Sequence, residues 1–257
     1  MSFPHPYQDD PFLACAVAAA RAAGQRQRAA LGVEKIVDEA TDHDVKLRLD
    51  RECQEQITAH LLAAFPDHTV FGEEGGSPYD PSGYQWIVDP IDGTVNFFHN
   101  LPHFCVAIAL QHKGETIVAV TYDPNRDELF TALRGKGAWL DGKPLRVSAV
   151  VEMRQAMVST GFAKGKEIVD QSIALVTWYA MNAQKLRMNG SAALDLAYVA
   201  AGRLEIYLER TIRLWDVAGG ILLVEEAGGK IELDPLPVGE HTYTMAASNG
   251  KVPVRRW

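Results

Sequence analysis

Basic residues, cysteines and long apolar runs are all scarce in this sequence of 257 residues. Its 25 lysines and arginines stand against 33 aspartates and glutamates, and the net charge of -8 argues against a nucleic-acid-binding surface. The three cysteines, Cys15, Cys53 and Cys105, lie far apart without metal-ligand spacing, which favours a reduced, cytoplasmic protein. The first residues carry neither a basic flank nor a long apolar segment, so we expect no signal peptide or membrane span.

Enough apolar residues are present for a large core, because 47% of the chain is hydrophobic. We expect a single unit over residues 1–257, with an N-terminal α+β half (1–150) that carries the acidic motifs and a C-terminal α/β half (151–257). Helical spacing predicts helices at 10–31 and 42–65, the second opened by Thr41-Asp42. Alternation predicts an antiparallel meander of strands at 104–110, 116–122 and 128–133.

The second half of the sequence alternates between helical and strand patterns. Helices are predicted at 170–182, 191–201 and 215–227, and strands at 185–188, 204–208, 230–233 and 242–246. Gly228-Gly229 is expected to end the last helix. The sum predicts a layered α+β or mixed α/β architecture.

The most informative stretch is residues 86–97, WIVDPIDGTVNF. A buried strand is predicted to end at Asp89, because Pro90 cannot donate a hydrogen bond into a sheet. Asp92 then projects from a turn, Gly93 allows close approach to a ligand, and Thr94 can begin a short helix. Carboxylates suited to a hard cation thus lie beside backbone amides suited to an anion, as metal-assisted phosphate chemistry requires.

Each acidic motif also has a purely structural interpretation. Asp-x-x-Asp followed by Gly-Thr is commonly a capped turn, and Glu73 after the predicted strand at 69–71 fits a solvated loop equally well. Glu209 is predicted to close the strand at 204–208. Asp216, at the start of a predicted helix, is in isolation first of all a helix cap.

Taken together, GEE at 72–74, DPIDGTVNF at 89–97 and WDVAGG at 215–220 resemble the three signatures of the inositol monophosphatase family. The order of the signatures matches, and the resemblance spans nearly the whole chain. It implies a layered αβαβα fold, usually dimeric. It also implies that phosphate monoesters are hydrolysed with Mg²⁺ by a metal-activated water.

The resemblance further implies individual residue roles. Two or three Mg²⁺ ions would be held by Glu73, Asp89, the Ile91 carbonyl, Asp92 and Asp216, with Asp89 bridging two ions. Asp42 would partner Thr94 to orient the attacking water, and Glu73 is the third residue expected to be catalytic. Substrate and phosphate contacts are implied for Asp92, Gly93, Thr94, Gly190, Ser191, Ala192 and Glu209. Where the family usually has Val-Thr before the Thr-Asp pair, this chain has Asp38-Glu39-Ala40, and the behaviour of that loop is open.

Inositol 1-phosphate is the expected substrate, because Asn96 and Glu209 resemble the inositol monophosphatase branch. The branch that acts on adenosine bisphosphates usually has lysine where this chain has Val95. Fructose 1,6-bisphosphate and histidinol phosphate stay open, since enzymes acting on them share the metal site. The alternative is a non-catalytic scaffold or regulator, which the intact ligand set disfavours. The resemblance also implies a lithium-sensitive homodimer acting on a small phosphate ester, and we expect neither nucleic acid nor membrane as a partner.

Overall fold

The structure, a computed structural model, describes residues 5–40, 45–162, 166–237 and 241–257. Its first helix is α1 (Pro11–Ala30), whose ends are set by local chemistry. The Asp10 side chain accepts a hydrogen bond from the Leu13 N–H at 2.9 Å, and Pro11 occupies the first turn, where its missing N–H is not needed. Gly32 follows with a φ of +80°, so the helix ends where the sequence predicted.

The elements from residue 37 to residue 144 build a small two-stranded sheet from the first two strands, one large sheet from the other strands, and two helices. They are β1 (Val37–Ala40), β2 (Val45–Leu47), α2 (Arg48–Ala64), β3 (Thr69–Gly72), β4 (Gly75–Gly76), β5 (Tyr84–Asp92), α3 (Thr94–Phe98), β6 (Cys105–His112), β7 (Glu115–Asp123), β8 (Glu128–Leu133), β9 (Gly137–Leu140) and β10 (Lys143–Pro144). The eight-stranded sheet has the order β10-β9-β8-β7-β6-β5-β3-β4. Only β3 and β5 pair in parallel within it, and the predicted β6-β7-β8 meander is confirmed.

The later elements build a second, smaller sheet. They are β11 (Met157–Phe162), α4 (Lys166–Asn182), β12 (Lys185–Arg187), α5 (Ala192–Ala200), β13 (Ile206–Arg213), α6 (Leu214–Glu226), β14 (Lys230–Pro235) and β15 (Thr242–Ser248). The sheet has the order β12-β11-β13-β15-β14. Its first three strands are parallel, and β15 runs antiparallel to both of its neighbours.

Helices and sheets stack in five layers. The helices α1 and α2 cover the outer face of the large sheet, α5 and α6 lie between the two sheets, and α4 covers the outer face of the small sheet. A separate apolar cluster packs at each of these places. Ile57 and Trp86 belong to the cluster under α1 and α2, Tyr207 and Leu222 to the one between the sheets, and Tyr179 to the one under α4. The predicted αβαβα architecture is therefore confirmed.

The second helix begins later than the sequence predicted. Residues 45–47 form β2, and α2 starts only at Arg48. Leu47 pairs with Val37 of β1, and the Arg48 N–H donates to the Ile36 carbonyl at 3.0 Å. Hairpin pairing with a preceding segment thus overrides the helical spacing, which is a purely local signal. Thr41 and Asp42 lie outside the described residues.

Several strands extend beyond their predicted ends, and the extensions of two of them matter for the acidic residues. The strand β5 continues through Pro90 to Asp92, because its pairing with β6 is irregular between Asp89 and Asp92 and the proline lies within that bulge. The strand β13 runs to Arg213 because β15 pairs along its whole length. Glu209 therefore lies inside a strand and does not close one.

Candidate active site

The bulge of β5 brings two aspartates to the same edge of the large sheet. Asp89 is the last regularly paired residue, and its Oδ1 accepts a hydrogen bond from the Ile91 N–H at 3.0 Å. The buried Gln27 side chain of α1 donates to the Pro90 carbonyl at 2.7 Å. Asp92 resumes the pairing, opposite Cys105. The irregular backbone path is thus held from the helix layer, and both aspartates line the same cavity.

Other elements bring the remaining carboxylates to these two. Asp216 lies in the first turn of α6, where its Oδ2 accepts from the Arg213 N–H at 2.9 Å. Glu73 lies in the tight turn between β3 and β4, and its own N–H donates to the Val88 carbonyl at 3.2 Å. The Gln54 side chain of α2 fixes this turn, donating to the Gly75 carbonyl at 2.7 Å and accepting from the Glu74 N–H at 2.9 Å.

Asp89, Asp92 and Asp216 form the acidic cluster of the site. Each offers one oxygen atom, and these three atoms lie within 4.8 Å of one another. Glu73 is hydrogen-bonded to Asp89 and joins the same cavity of about 350 Å³, together with Ile91, Gly93 and Thr94. The structure therefore brings all five predicted metal ligands to one place.

Burial and mutual repulsion dominate the electrostatics of this cluster. Burial raises the pKa of Asp89 well above its ordinary value, and the neighbouring charges of Glu73, Asp92 and Asp216 raise it further. Burial, with Asp50 and Glu74 nearby, raises the pKa of Glu73 to about 8. Several buried carboxylates whose closest charges are also negative require a cation to be ionised together. Oxygen donors of this kind fit a hard divalent ion such as Mg²⁺.

Asp92 also holds the two halves of the fold together. Its Oδ2 accepts hydrogen bonds from the Ser191 hydroxyl and from the Ala193 N–H at 2.8 Å, and its Oδ1 accepts from the Ala192 N–H at 3.2 Å. These donors form the N-terminus of α5, so the carboxylate caps that helix from the large sheet. Ser191 and Ala192 therefore reach the site through Asp92, and Gly190 lines the cavity beside them.

Thr94 has a partner that the sequence analysis missed. Its Oγ1 lies 3.0 Å from Asp50 Oδ1 and 3.0 Å from the Ile91 carbonyl, so its single proton can be donated to either oxygen. Asp50 is 1% exposed, and burial raises its pKa to about 7. Asp42 lies outside the described residues, and its predicted role stays a prediction. A sequence signal for Asp50 did exist, because it falls on the buried stripe of α2 between Leu47 and Gln54.

A second cavity of about 440 Å³ adjoins the acidic cluster and is lined by the remaining predicted substrate contacts. Its lining includes Asp92, Gly190, Ser191, Ala192, Glu209 and Asp216, together with Asn96, which the sequence analysis used only to identify the family branch. It also includes Thr160, Gly161, Asp195 and Ile212, for which the sequence predicted no role in the site. The Asn96 side chain donates to the carbonyls of His103 and Asn189, both at 2.8 Å, and so joins α3 to the cavity wall. The two cavities share Asp92 and Asp216, so the acidic cluster, which could hold a metal ion, adjoins a larger pocket.

The sequence of this chain matches one protein family along almost its whole length. The sequence profile of the inositol monophosphatase family matches residues 8–243. The chain belongs to the inositol monophosphatase family. A relative from Escherichia coli K12, named Nus factor SuhB, is 42% identical over 242 residues, which cover 93% of this chain and 90% of the relative.

Solved structures of family members agree with this assignment. An inositol monophosphatase from Anabaena (Nostoc) sp. PCC 7120 superposes with a TM-score of 0.81 at 37% identity, covering 93% of this chain and 91% of the other. The extragenic suppressor protein SuhB from Bartonella henselae gives a TM-score of 0.85 at 34% identity, covering 92% and 93%. The family is Mg²⁺-dependent, and the acidic cluster of this chain has the donor set that such a family needs. None of the helices in the described part of the chain is long and apolar enough to span a membrane.

Proposed function

We propose that this protein hydrolyses a small phosphate monoester with Mg²⁺, and that inositol 1-phosphate is its substrate. The observation that carries the proposal is the cluster of Asp89, Asp92 and Asp216 at the junction of two cavities. One cavity has the size and donors for metal and phosphate, and the adjoining one can hold the alcohol from which phosphate is released. Fructose 1,6-bisphosphate and histidinol phosphate are the alternative substrates.

Mg²⁺ would be held by Glu73, Asp89, the Ile91 carbonyl, Asp92 and Asp216, in two or three sites. When bound, it supplies positive charge that offsets the negative charge of the phosphate and lowers the pKa of a coordinated water.

The chain's own contribution to water activation falls to Asp50 and Thr94. Asp50 Oδ1 accepts the Thr94 hydroxyl, while Asp50 Oδ2 is buried without a hydrogen-bond partner among the described residues. A carboxylate with a spare acceptor, whose pKa is raised to about 7, is suited to orient a water and take its proton at neutral pH. We therefore assign to Asp50 the role that the sequence analysis gave to Asp42.

Phosphate and leaving-group contacts complete the proposal. Gly93 and Thr94 line the cavity that holds the carboxylates, and their backbone N–H groups would donate to phosphate oxygens there. Gly93 has a φ of +98°, and a Cβ there would lie 3.1 Å from the carbonyl oxygens of Gly190 and His103. Glu209, in the adjoining cavity, would accept hydrogen bonds from hydroxyl groups of the leaving alcohol.

The test is phosphate release from a small panel, measured with Mg²⁺ and with EDTA. The panel contains inositol 1-phosphate, fructose 1,6-bisphosphate, histidinol phosphate and adenosine 3′,5′-bisphosphate. We expect Mg²⁺-dependent release, fastest from inositol 1-phosphate, and its loss in the variant Asp89→Asn. If another compound releases phosphate fastest, the proposed substrate is wrong but the proposed reaction stands. No release from any compound with Mg²⁺ bound would contradict the phosphatase proposal.

The names of the relatives point to a second candidate function. The E. coli relative is a Nus factor, so a regulatory role can accompany or replace catalysis in this chain. Expression of the chain in E. coli lacking SuhB tests this role, with Asp89→Asn in parallel. Rescue by both forms would support a role that does not need catalysis, and would also challenge the expected absence of a nucleic-acid-associated partner. A homodimer and inhibition by Li⁺ remain further proposals, to be tested by light scattering and by the same phosphate assay.

A further inference from the structure

The carboxyl group of Glu209 lies directly on the backbone of Gly161. The two residues are paired in the parallel ladder of β11 and β13. A Cβ built on Gly161 would lie 2.2 Å from Glu209 Oε2, 2.5 Å from its Cδ and 2.7 Å from its Oε1. Because the φ of Gly161 is not in the left-handed region, glycine is required there for space and not for conformation.

A buried tyrosine fixes the same carboxyl group from the side. Tyr207 precedes Glu209 by two residues on β13, so both side chains leave the same face of the strand. The Tyr207 hydroxyl donates to Glu209 Oε2. Its ring is 1% exposed and packs in the apolar cluster between the two sheets, which leaves the hydroxyl little freedom to move.

Without these two contacts, two effects would disfavour the observed orientation of the Glu209 side chain. Its neighbours include Asp92, Asp195 and Asp216, whose negative charges repel it. A glutamate side chain also has several rotatable bonds, and holding it in one rotamer costs entropy. The Tyr207 hydroxyl on its rigid ring and the open space over Gly161 offset both the repulsion and the entropy cost.

We propose that Tyr207 and Gly161 are positioning residues that hold Glu209 toward the cavity, and that they thereby set a preference for phosphate esters of polyhydroxylated alcohols. This inference rests on the proposed function, in which Glu209 accepts hydrogen bonds from the leaving alcohol. Neither residue touches the substrate in this proposal. Both act through Glu209.

The test compares two substrates that differ in the leaving group. Inositol 1-phosphate presents hydroxyl groups to Glu209, whereas 4-nitrophenyl phosphate presents an aromatic ring that lacks them. We expect the ratio of kcat/KM for inositol 1-phosphate to that for 4-nitrophenyl phosphate to fall about tenfold in Tyr207→Phe, the effect of one misplaced hydrogen bond to a charged group. Gly161→Ala should lower the same ratio, because the new Cβ displaces the carboxylate.

Matched variants separate positioning from general damage. Tyr179→Phe removes the hydroxyl of another tyrosine that is 1% exposed, one bonded to the Arg255 backbone in a different apolar cluster. Gly83→Ala adds a methyl group where nothing lies within 4 Å. Both should keep the wild-type ratio. If Gly161→Ala fails to fold, Tyr207→Phe still decides, since it keeps the shape of the ring.

A double-mutant cycle adds a readout that a merely structural role would not move. If Tyr207 acts through Glu209, then Tyr207→Phe should leave the ratio unchanged when Glu209→Gln is already present. An unchanged ratio in Tyr207→Phe alone, or an equal loss in the two backgrounds, would overturn the inference. Absence of Mg²⁺-dependent phosphate release from the wild-type protein would instead overturn the proposed function, so the two failures are distinguishable.

Discussion

A buried carboxylate next to a hydroxyl is the smallest chemical unit of this site, and Asp50 with Thr94 forms one. Asp50 lies in the first turn of α2, and Thr94 is the first residue of α3. The contact therefore depends on the position of the two helices relative to each other. Burial raises the pKa of Asp50 to about 7 and so places its titration near neutral pH. Such a group can take up and release a proton under ordinary conditions.

We predict that Asp50→Asn lowers kcat for phosphate release by about 100-fold or more, because an amide cannot accept the proton of the attacking water. KM should change little, since the proposed phosphate and alcohol contacts remain. Steady-state kinetics with inositol 1-phosphate, at saturating Mg²⁺, measures both quantities.

The matched control for this variant is Asp123→Asn. Asp123 is also a buried aspartate, but it fixes the turn after β7 by accepting hydrogen bonds from the Asn125 and Arg126 N–H groups. That change should lower thermal stability without a large loss of kcat. An Asp50→Asn variant with the wild-type kcat would show that Asp50 is not the proton acceptor. Asp42 would then be the next candidate for that role.

At the scale of single elements, the bulge of β13 carries a strained residue. Thr211 has a φ of +72°, and the pairing of β13 with β15 is irregular between Arg210 and Ile212. A β-branched residue in this region is a genuine outlier, with a cost of about 1–2 kcal/mol. The bulge lies between Glu209 and Ile212, both of which line the larger cavity, so the strain falls at the site.

We predict that Thr211→Gly raises the free energy of unfolding by about 1 kcal/mol, because glycine adopts a positive φ without strain. The corresponding rise in Tm is about 2–4 °C for a chain of this length. Thermal melting and urea titration measure the effect. The neighbouring Arg210→Gly is the control, since φ is not positive there and glycine should destabilise the strand. A lower Tm for Thr211→Gly would mean that the Thr211 side chain makes contacts that outweigh the strain.

The same elements show what local sequence patterns can and cannot predict. The spacing of apolar residues located α1 and the β6-β7-β8 meander, because each depends on neighbours along the chain. It misplaced the start of α2 and the ends of β5 and β13, since those depend on pairing with β1, β6 and β15. The aspartates 89, 92 and 216 were found by their motifs. Asp50, Tyr207 and Gly161 were missed because their importance comes from contacts across the fold.

For the whole molecule, the site lies where the two sheets and the helices between them meet. Asp89 and Asp92 belong to the large sheet, whereas Asp216 belongs to α6, which packs between both sheets. Asp92 also caps α5 of the later half. Repulsion among these carboxylates therefore acts across the junction of the layers, and a cation bound there would stabilise the whole fold.

We predict that the metal-free protein loses stability as the pH rises from about 4 to about 8. Burial and neighbouring carboxylates raise the pKa of Glu73 to about 8 and the pKa values of Asp89 and Asp216 well above normal. Between the low pKa values of the unfolded chain and these raised ones, the folded state holds more protons, so its stability falls with pH. Mg²⁺ should offset the loss, and the rise in Tm that it produces should be larger at pH 8 than at pH 5.

Thermal melting in EDTA and in Mg²⁺ at several pH values measures this linkage. In Asp89→Asn one charge is removed from the cluster, so the loss of stability with pH should be smaller and the effect of Mg²⁺ weaker. Asp9→Asn, which changes an exposed aspartate before α1, should behave like the wild type. If the stability of the metal-free protein increased over this pH range, ionisation of the cluster would not destabilise the fold, and the prediction would be wrong. An equal Mg²⁺ effect at both pH values would place the binding of the cation outside these buried carboxylates.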